Sequence, residues 1–244
     1  MANVSSGDTF QLTSGKKSTS NPKWSPDSKW LAFTSNRSKD KNQIFAIRPN
    51  GGEAVRLTDS ESGVSNYEWS SDGEKIAFTA TEPESKYAKG RKDHMGGFSV
   101  VRKEYSHSHL WTFEISDALK EPVKGDQKTN GKTFSVGGFS WSPDGNKIAF
   151  NAAENPDRIN FYTTDIFILD LVADTTYKIV STPGPDWSPN WSPDGSQILY
   201  STYSGKELYY AYNRNFAIIP ADGGNPKIVT ARCVNVLEFR SLSI

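Results

Sequence analysis

The strongest constraint on this chain is a five-residue turn that occurs four times. Trp24-Ser-Pro-Asp-Ser28, Trp69-Ser-Ser-Asp-Gly73, Trp141-Ser-Pro-Asp-Gly145 and Trp191-Ser-Pro-Asp-Gly195 align without gaps. Each leads within two residues into an apolar tetrad: Trp30 to Phe33, Lys75 to Phe78, Lys147 to Phe150 and Gln197 to Tyr200. The last three read K-I-A-F, K-I-A-F and Q-I-L-Y. A serine hydroxyl can bond back to the turn backbone, proline presets φ, and aspartate tolerates the third position. Glycine then accepts the positive φ with which the chain re-enters a strand. The expected element is a tight hairpin between a strand ending in Trp and a strand of alternating apolar residues. Ser28 stands where the other copies have Gly, so a positive φ there costs roughly 1 kcal/mol.

Further strands follow in each copy. Third strands are expected at Ile44–Ile47, Leu110–Ile115, Asp165–Leu169 and Phe216–Ile219. Asn50-Gly-Gly52 and Asp222-Gly-Gly224 read as primed hairpin turns. Fourth strands are expected at Val55–Thr58, Tyr177–Val180 and Lys227–Thr230, with the second copy's placed around Glu121 to Lys124. The repeated Trp residues are 45, 72 and 50 positions apart. Four short antiparallel strands recurring at about 40–50 residues are the signature of a propeller blade.

The predicted fold is therefore all-β: one propeller over residues 1–244, of four-stranded antiparallel blades. About four complete blades are expected, at roughly 21–60, 66–128, 139–182 and 188–231. A leading outer strand at 9–13, Thr-Phe-Gln-Leu-Thr, matches the fourth-strand pattern of Val55-Arg-Leu-Thr. An irregular tail covers 232–244. Closing a ring by sharing a blade between the termini needs about 30 residues after Thr230, as four-stranded blades go, and 14 remain. The expectation is thus an incomplete ring, from a fragment or an early-terminating product; the alternative is a complete four-bladed ring with a spare strand at each end. An open ring would leave two blade faces exposed and predict self-association.

Composition narrows the partners. With 28 basic and 28 acidic residues there is no long-range field to attract nucleic acid or an anionic membrane. No stretch approaches the ~18 apolar residues of a membrane span. A single cysteine, Cys233, excludes an internal disulfide. The compartment stays open between cytoplasm and periplasm: either the chain is cytosolic or a leader has been removed.

The pattern N-P-x-W-S-P-D-G-x-x-I-A-F, then a strand ending near G-G, then x-x-L-T, resembles the TolB-type propeller repeat. The same repeat builds the N-terminal propeller of the prolyl oligopeptidase family, in its acylaminoacyl-peptidase and dipeptidyl-peptidase branch. The best match runs from Asn21-Pro-Lys-Trp24-Ser-Pro-Asp27 through Leu57-Thr58, and Ser106-His-Ser-His-Leu-Trp111 also looks like that branch. The resemblance implies a non-catalytic propeller that gates or positions peptide substrates for an α/β-hydrolase domain bearing Ser, Asp and His. No G-x-S-x-G nucleophile elbow occurs in these 244 residues, so the chemistry is expected beyond residue 244. The alternatives are a stand-alone TolB-like protein-interaction scaffold and, more weakly, a glycan or small-molecule processing propeller. Oligogalacturonate lyases also use TolB-like blades with a metal, but their ligand set is not recognisable here.

No catalytic, cofactor-binding or metal-binding residue is assigned, and no cofactor is expected. Asp27, Asp72, Asp144 and Asp194 recur too regularly to be anything but turn formers. Trp24, Trp69, Trp141 and Trp191 read as packing between blades. Trp187 sits off the repeat, and Cys233 has no base partner to activate it. The one interruption is in the second copy, where Trp-to-third-strand spacings of 20, 25 and 25 elsewhere become 41. The excess, roughly 82–108, is mildly basic and holds His94 and His107, with His109 directly after it; these are every histidine in the chain. His107 and His109 share a strand face, as two metal ligands would, but a third ligand is not evident. The insertion is read as a rim loop, either solvated and mobile or a contact for a hydrolase domain or other protein.

Overall fold

The computed structural model describes residues 5, 7–14, 16–38, 40–83, 85–96, 105–206 and 212–230. The tail 232–244, with Cys233, lies outside the described residues, as does the middle of the insertion. The chain divides into two compact units, Met1–Val136 and Gly137–Ile244.

The described residues form four four-stranded antiparallel sheets, each in sequential order and none closed on itself. They are blades of a β-propeller. Blade 1 holds β1 (Thr19–Trp24), β2 (Leu31–Ser35), β3 (Gln43–Ile47) and β4 (Val55–Arg56). Blade 2 holds β5 (Asn66–Trp69), β6 (Lys75–Thr81), β7 (Ser108–Glu114) and β8 (Asp126–Gln127), with helix α1 (Lys86–Met95) between β6 and β7 and a helical turn α2 (Ile115–Ala118) after β7. Blade 3 holds β9 (Ser135–Trp141), β10 (Lys147–Ala153), β11 (Asp165–Asp170) and β12 (Thr175–Val180). Blade 4 holds β13 (Asp186–Trp191), β14 (Gln197–Thr202), β15 (Asn215–Pro220) and β16 (Lys227–Ile228). Among the described residues no helix is long and apolar enough to cross a membrane.

The repeated turn is a hydrogen-bonded unit whose hub is the aspartate. In the first copy Ser25 Oγ donates to Asp27 Oδ1 at 2.7 Å, and the Lys29 N–H donates to the same oxygen at 3.1 Å. Ser25 Oγ also accepts the Trp30 N–H at 2.9 Å. The same three bonds recur around Ser70 and Asp72, Ser142 and Asp144, and Ser192 and Asp194. Aspartate does not merely tolerate its position; it holds both sides of the turn together. These bonds favour the ionised carboxylate, led by the serine hydroxyl, and Asp27 and Asp194 are lowered to about 2. Gly73, Gly145 and Gly195 take φ of 76°, 70° and 73°, and Ser28 takes 58° at the same place.

Two turns differ from the sequence expectation. Neither Asn50 nor Asp222 has positive φ; the left-handed residues are Gly51, Gly52, Gly223 and Gly224. The closing bonds, Gly51 N to Arg48 O and Gly223 N to Pro220 O, put each glycine last in an unprimed turn. In blade 2 the fourth strand is Asp126–Gln127, not Glu121 to Lys124. Helix α2 consumes the residues after β7, and Val123 instead bridges Thr58 of blade 1. Gly125, at φ 81°, lets the chain turn back into the sheet, where a Cβ would come 2.8 Å from the Phe78 ring.

A threonine closes three blades in the same way. The N–H of the third strand's residue donates to a threonine hydroxyl just past the fourth strand: Ile44 to Thr58 at 2.9 Å, Leu110 to Thr129 at 2.9 Å and Phe216 to Thr230 at 2.8 Å. The leading segment 9–13 forms no ladder beyond a bridge at Thr9. Leu12 packs against Phe33, Phe45 and Ile47 on the open side of blade 1.

Blade packing fills the cores. Blades 1 and 2 share one cluster, in which Ala32, Ile44, Ala46 and Leu57 meet Tyr67, Ile76 and Phe78. Blades 3 and 4 share another, in which Ala149, Ile166, Ile168 and Val180 meet Ile198, Tyr200, Ala217 and Ile219. The repeated tryptophans do not play one role. Trp69 and Trp191 pack against these clusters and Trp141 is buried, whereas Trp24 is 45% exposed. Trp24 has no preceding blade among the described residues to lie on.

Candidate functional site

The insertion leaves and rejoins blade 2 through a buried neck. The Glu82 N–H donates to His107 O at 2.8 Å, extending the β6–β7 ladder beyond Thr81 and Ser108. Above the neck stands helix α1, absent from the sequence reading. Ser85 caps it, its hydroxyl accepting the Ala88 N–H. None of its residues is fully buried, and Ala88, Gly90 and Arg91 are half-buried. It presents Lys86, Lys89, Arg91 and Lys92 against a single acid, Asp93, with Tyr87 and Met95 exposed. Arg91 lies over the Tyr87 ring. His94, on the same helix, bonds through Nδ1 to Gly90 O.

His107 and His109 lie at the neck itself, 3% and 1% exposed. His109 Nδ1 is 3.3 Å from Thr129 Oγ1, and its Nε2 is 3.4 Å from Glu82 Oε1 without hydrogen-bond alignment. Burial holds the His109 ring below the usual histidine range, against the opposing pull of Glu82. Both ring nitrogens of His107 lack a hydrogen-bond partner among the described residues. Phe134 packs edge-on against His109, and Tyr105 against His107.

A hydroxyl, a histidine and a carboxylate in a row invite comparison with an activated nucleophile. Two facts set that aside. Thr129 is the counterpart of Thr58 and Thr230, so its hydroxyl serves the blade closure found in three copies. It is also 3% exposed, which leaves no path for a substrate carbonyl. The trio is a structural latch. Among the described residues no group of three or more His, Cys, Asp and Glu is arranged to hold a metal.

Beside the neck is a cavity of about 160 Å³ lined by Ser60, Glu61, Ser62, Pro83, Trp111 and Lys124. Trp111 Nε1 is buried there without an acceptor among the described residues. Lys124 and Glu61 face each other at 3.7 Å. The cavity thus has a donor, a cation and a carboxylate around an apolar ring, suited to holding a small polar group. A wider hollow, about 550 Å³, runs along the turns of blades 3 and 4. Of its three carboxylates, Asp144, Asp194 and Asp222, the first two are committed to the turn bonds described above. Trp187, off the repeat, is half-buried between Phe161 and Tyr203 at 5.6 and 5.4 Å. Sequence reasoning found the insertion and the histidines but missed Thr129, Glu82 and Trp111.

No family model matches the chain. The fold does match solved propellers. A putative TolB from Agrobacterium tumefaciens is similar at TM-score 0.57 and 18% identity, over 84% of this chain and 62% of that one. An acylaminoacyl peptidase from Pyrococcus horikoshii is similar at TM-score 0.59 and 17% identity, over 86% of this chain and 32% of that one. An oligogalacturonate lyase from Vibrio parahaemolyticus is similar at TM-score 0.57 and 14% identity, over 84% of this chain and 50% of that one. This chain therefore spans less than two thirds of each of those proteins, and what it has in common with all three is the TolB-type propeller fold, the same fold that resembles the N-terminal domain of the prolyl oligopeptidase family.

Proposed function

We propose that this chain is a non-catalytic propeller that positions peptide substrates for a prolyl-oligopeptidase-like hydrolase, and that it meets the hydrolase through the blade 2 insertion. The observation that carries this reading is the contrast between the two ends of the insertion. Its base is fixed by the buried His107 and His109 beside a half-buried Glu82, while no residue of its helix is fully buried. A segment fixed at its root whose helix leaves most of its charged side chains exposed offers a surface to another molecule. The helix is basic, so the partner surface is expected to be acidic. The adjoining cavity, with Trp111 and Lys124, offers a site for a peptide carbonyl or a terminal carboxylate.

Photo-crosslinking tests this. A photoreactive residue at Tyr87, introduced into the chain in its own cells, should capture a protein with a G-x-S-x-G elbow. Removing residues 85–96 should abolish a pull-down of that protein. Capture of proteins without a hydrolase fold would point to the interaction-scaffold reading instead.

A further inference from the structure

Trp111 carries a hydrogen-bond donor that its blade does not use. In three blades the second and third strands meet in a stacked aromatic pair at the same register. The pairs are Phe33 with Phe45, Phe78 with Trp111 and Phe150 with Phe167, with centroids 5.9, 6.2 and 5.4 Å apart. Phenylalanine serves this stack in blades 1 and 3. The indole in blade 2 adds an N–H, and Trp111 Nε1 is buried without an acceptor among the described residues. A buried donor left unmet weakens a fold, so packing does not account for a tryptophan here. Trp111 lines the cavity of about 160 Å³ beside the neck.

The walls of that cavity are fixed. Gln43 bonds both the N–H and the carbonyl of Ser60, Lys41 Nζ donates to Glu61 O at 3.0 Å, and Ser62 Oγ donates to Thr81 O. Lys124 follows Val123, whose N–H and carbonyl pair with Leu57 and Asp59 at 3.0 and 2.7 Å. Anchored backbone thus presents the Lys124 ammonium and the Glu61 carboxylate, 3.7 Å apart. The two side chains are 71% and 59% exposed, so their own pairing is weak and open to exchange.

We propose that the cavity binds a small α-amino acid as its zwitterion, the carboxylate accepting from Trp111 Nε1 and Lys124 and the ammonium donating to Glu61. A lone anion would meet the charge of Glu61, and a lone cation that of Lys124. A zwitterion answers both and supplies the acceptor that the indole lacks. The size agrees: at about 30 Å³ of liquid volume per water, the cavity has room for roughly five heavy atoms, the number in glycine. This inference deepens the terminal-carboxylate reading of the same cavity and needs no hydrolase, so the two can fail separately.

Glycine titrated into the whole chain, labelled with nitrogen-15, tests it. Trp111→Phe, the residue that blades 1 and 3 use, identifies the Trp111 indole N–H signal by its loss. In the parent chain that signal should move saturably, with a dissociation constant on the order of 1 mM. Acetate and methylammonium, each added alone, should bind about tenfold more weakly. Lys124→Gln and Glu61→Gln should each weaken glycine binding about fivefold, and so should Trp111→Phe, read on the Ser62 amide. Urea midpoints near that of the parent chain would show that each variant is folded. No saturable shift up to ~50 mM glycine overturns the proposal. So does acetate binding as tightly as glycine, since Glu61 would then be idle, or undiminished binding in Lys124→Gln. N-methylacetamide binding as tightly as glycine overturns it in favour of a peptide carbonyl in the same cavity, and leaves the crosslinking test at Tyr87 untouched.

Discussion

The Trp69 indole donates its Nε1–H to the backbone carbonyl of Lys23, 3.3 Å away in the preceding blade. Its counterpart Trp191 packs against the core of blades 3 and 4 with its buried Nε1 unpaired, and Trp24 is 45% exposed. One sequence motif thus has three energetic values. Trp69→Ser should cost about 2–4 kcal/mol, from lost burial and an orphaned acceptor. Trp24→Ser, at a half-exposed site, should cost less, about 1 kcal/mol. Urea denaturation of the two variants, compared by midpoint, checks the contrast.

Ser28 occupies left-handed backbone at φ 58°, where the other three copies have glycine. Ser28→Gly relieves that strain and frees the unfolded chain, two effects of opposite sign. The net expected is a stabilisation of roughly 0.5–1 kcal/mol. A higher urea midpoint with unchanged slope would confirm it; a lower one would show that the serine side chain contributes more than its backbone costs.

Asn151, just after the second K-I-A-F, threads its side chain against β9. Its Oδ1 accepts the Gly138 N–H at 3.1 Å, and a Cβ on Gly137 would fall 2.4 Å from its Nδ2. Gly137→Ala should therefore destabilise by about 1–3 kcal/mol. Adding Asn151→Ala removes the obstacle, so the double variant should lose less than the sum of the two single ones. A strictly additive double-mutant cycle would contradict the contact.

His109 is held neutral by burial. Its folded pKa lies below that of the unfolded chain, so the unfolded state takes up the proton first. The stability this provides is complete above about pH 6.5 and is lost as pH falls through that value. Stability should drop between pH 7.5 and pH 5, and His109→Gln should flatten that drop. The turn aspartates act lower down: their contribution is present above a normal carboxylate pKa and disappears as pH falls from about 4 towards 2. Urea midpoints at several pH values separate the two windows.

The blades were legible because a turn is local chemistry. Ser, Asp and Gly at fixed offsets declare the hairpin, and K-I-A-F declares the strand behind it. What escaped depends on neighbours distant in sequence. Nothing in the tryptophan motif distinguishes Trp24 from Trp69, since their difference lies in what precedes each blade. Thr129 reads as an ordinary polar residue until its 19-residue reach back to Leu110 is seen. Helix α1 has no apolar periodicity to betray it, because it has no fully buried face. Blade 2's fourth strand was misplaced because α2 and Gly125 replace the glycine pair that marks the same corner in blades 1 and 4.

The bond from Glu82 to His107 closes the β6–β7 ladder beneath the insertion, so the blade is complete without anything above it. Blade 2 is in that sense a graft site. A different segment, longer, shorter or of opposite charge, could be spliced onto Glu82 and His107 while the sheet below kept its pairing. A propeller with such a site can change what it recognises without folding anew.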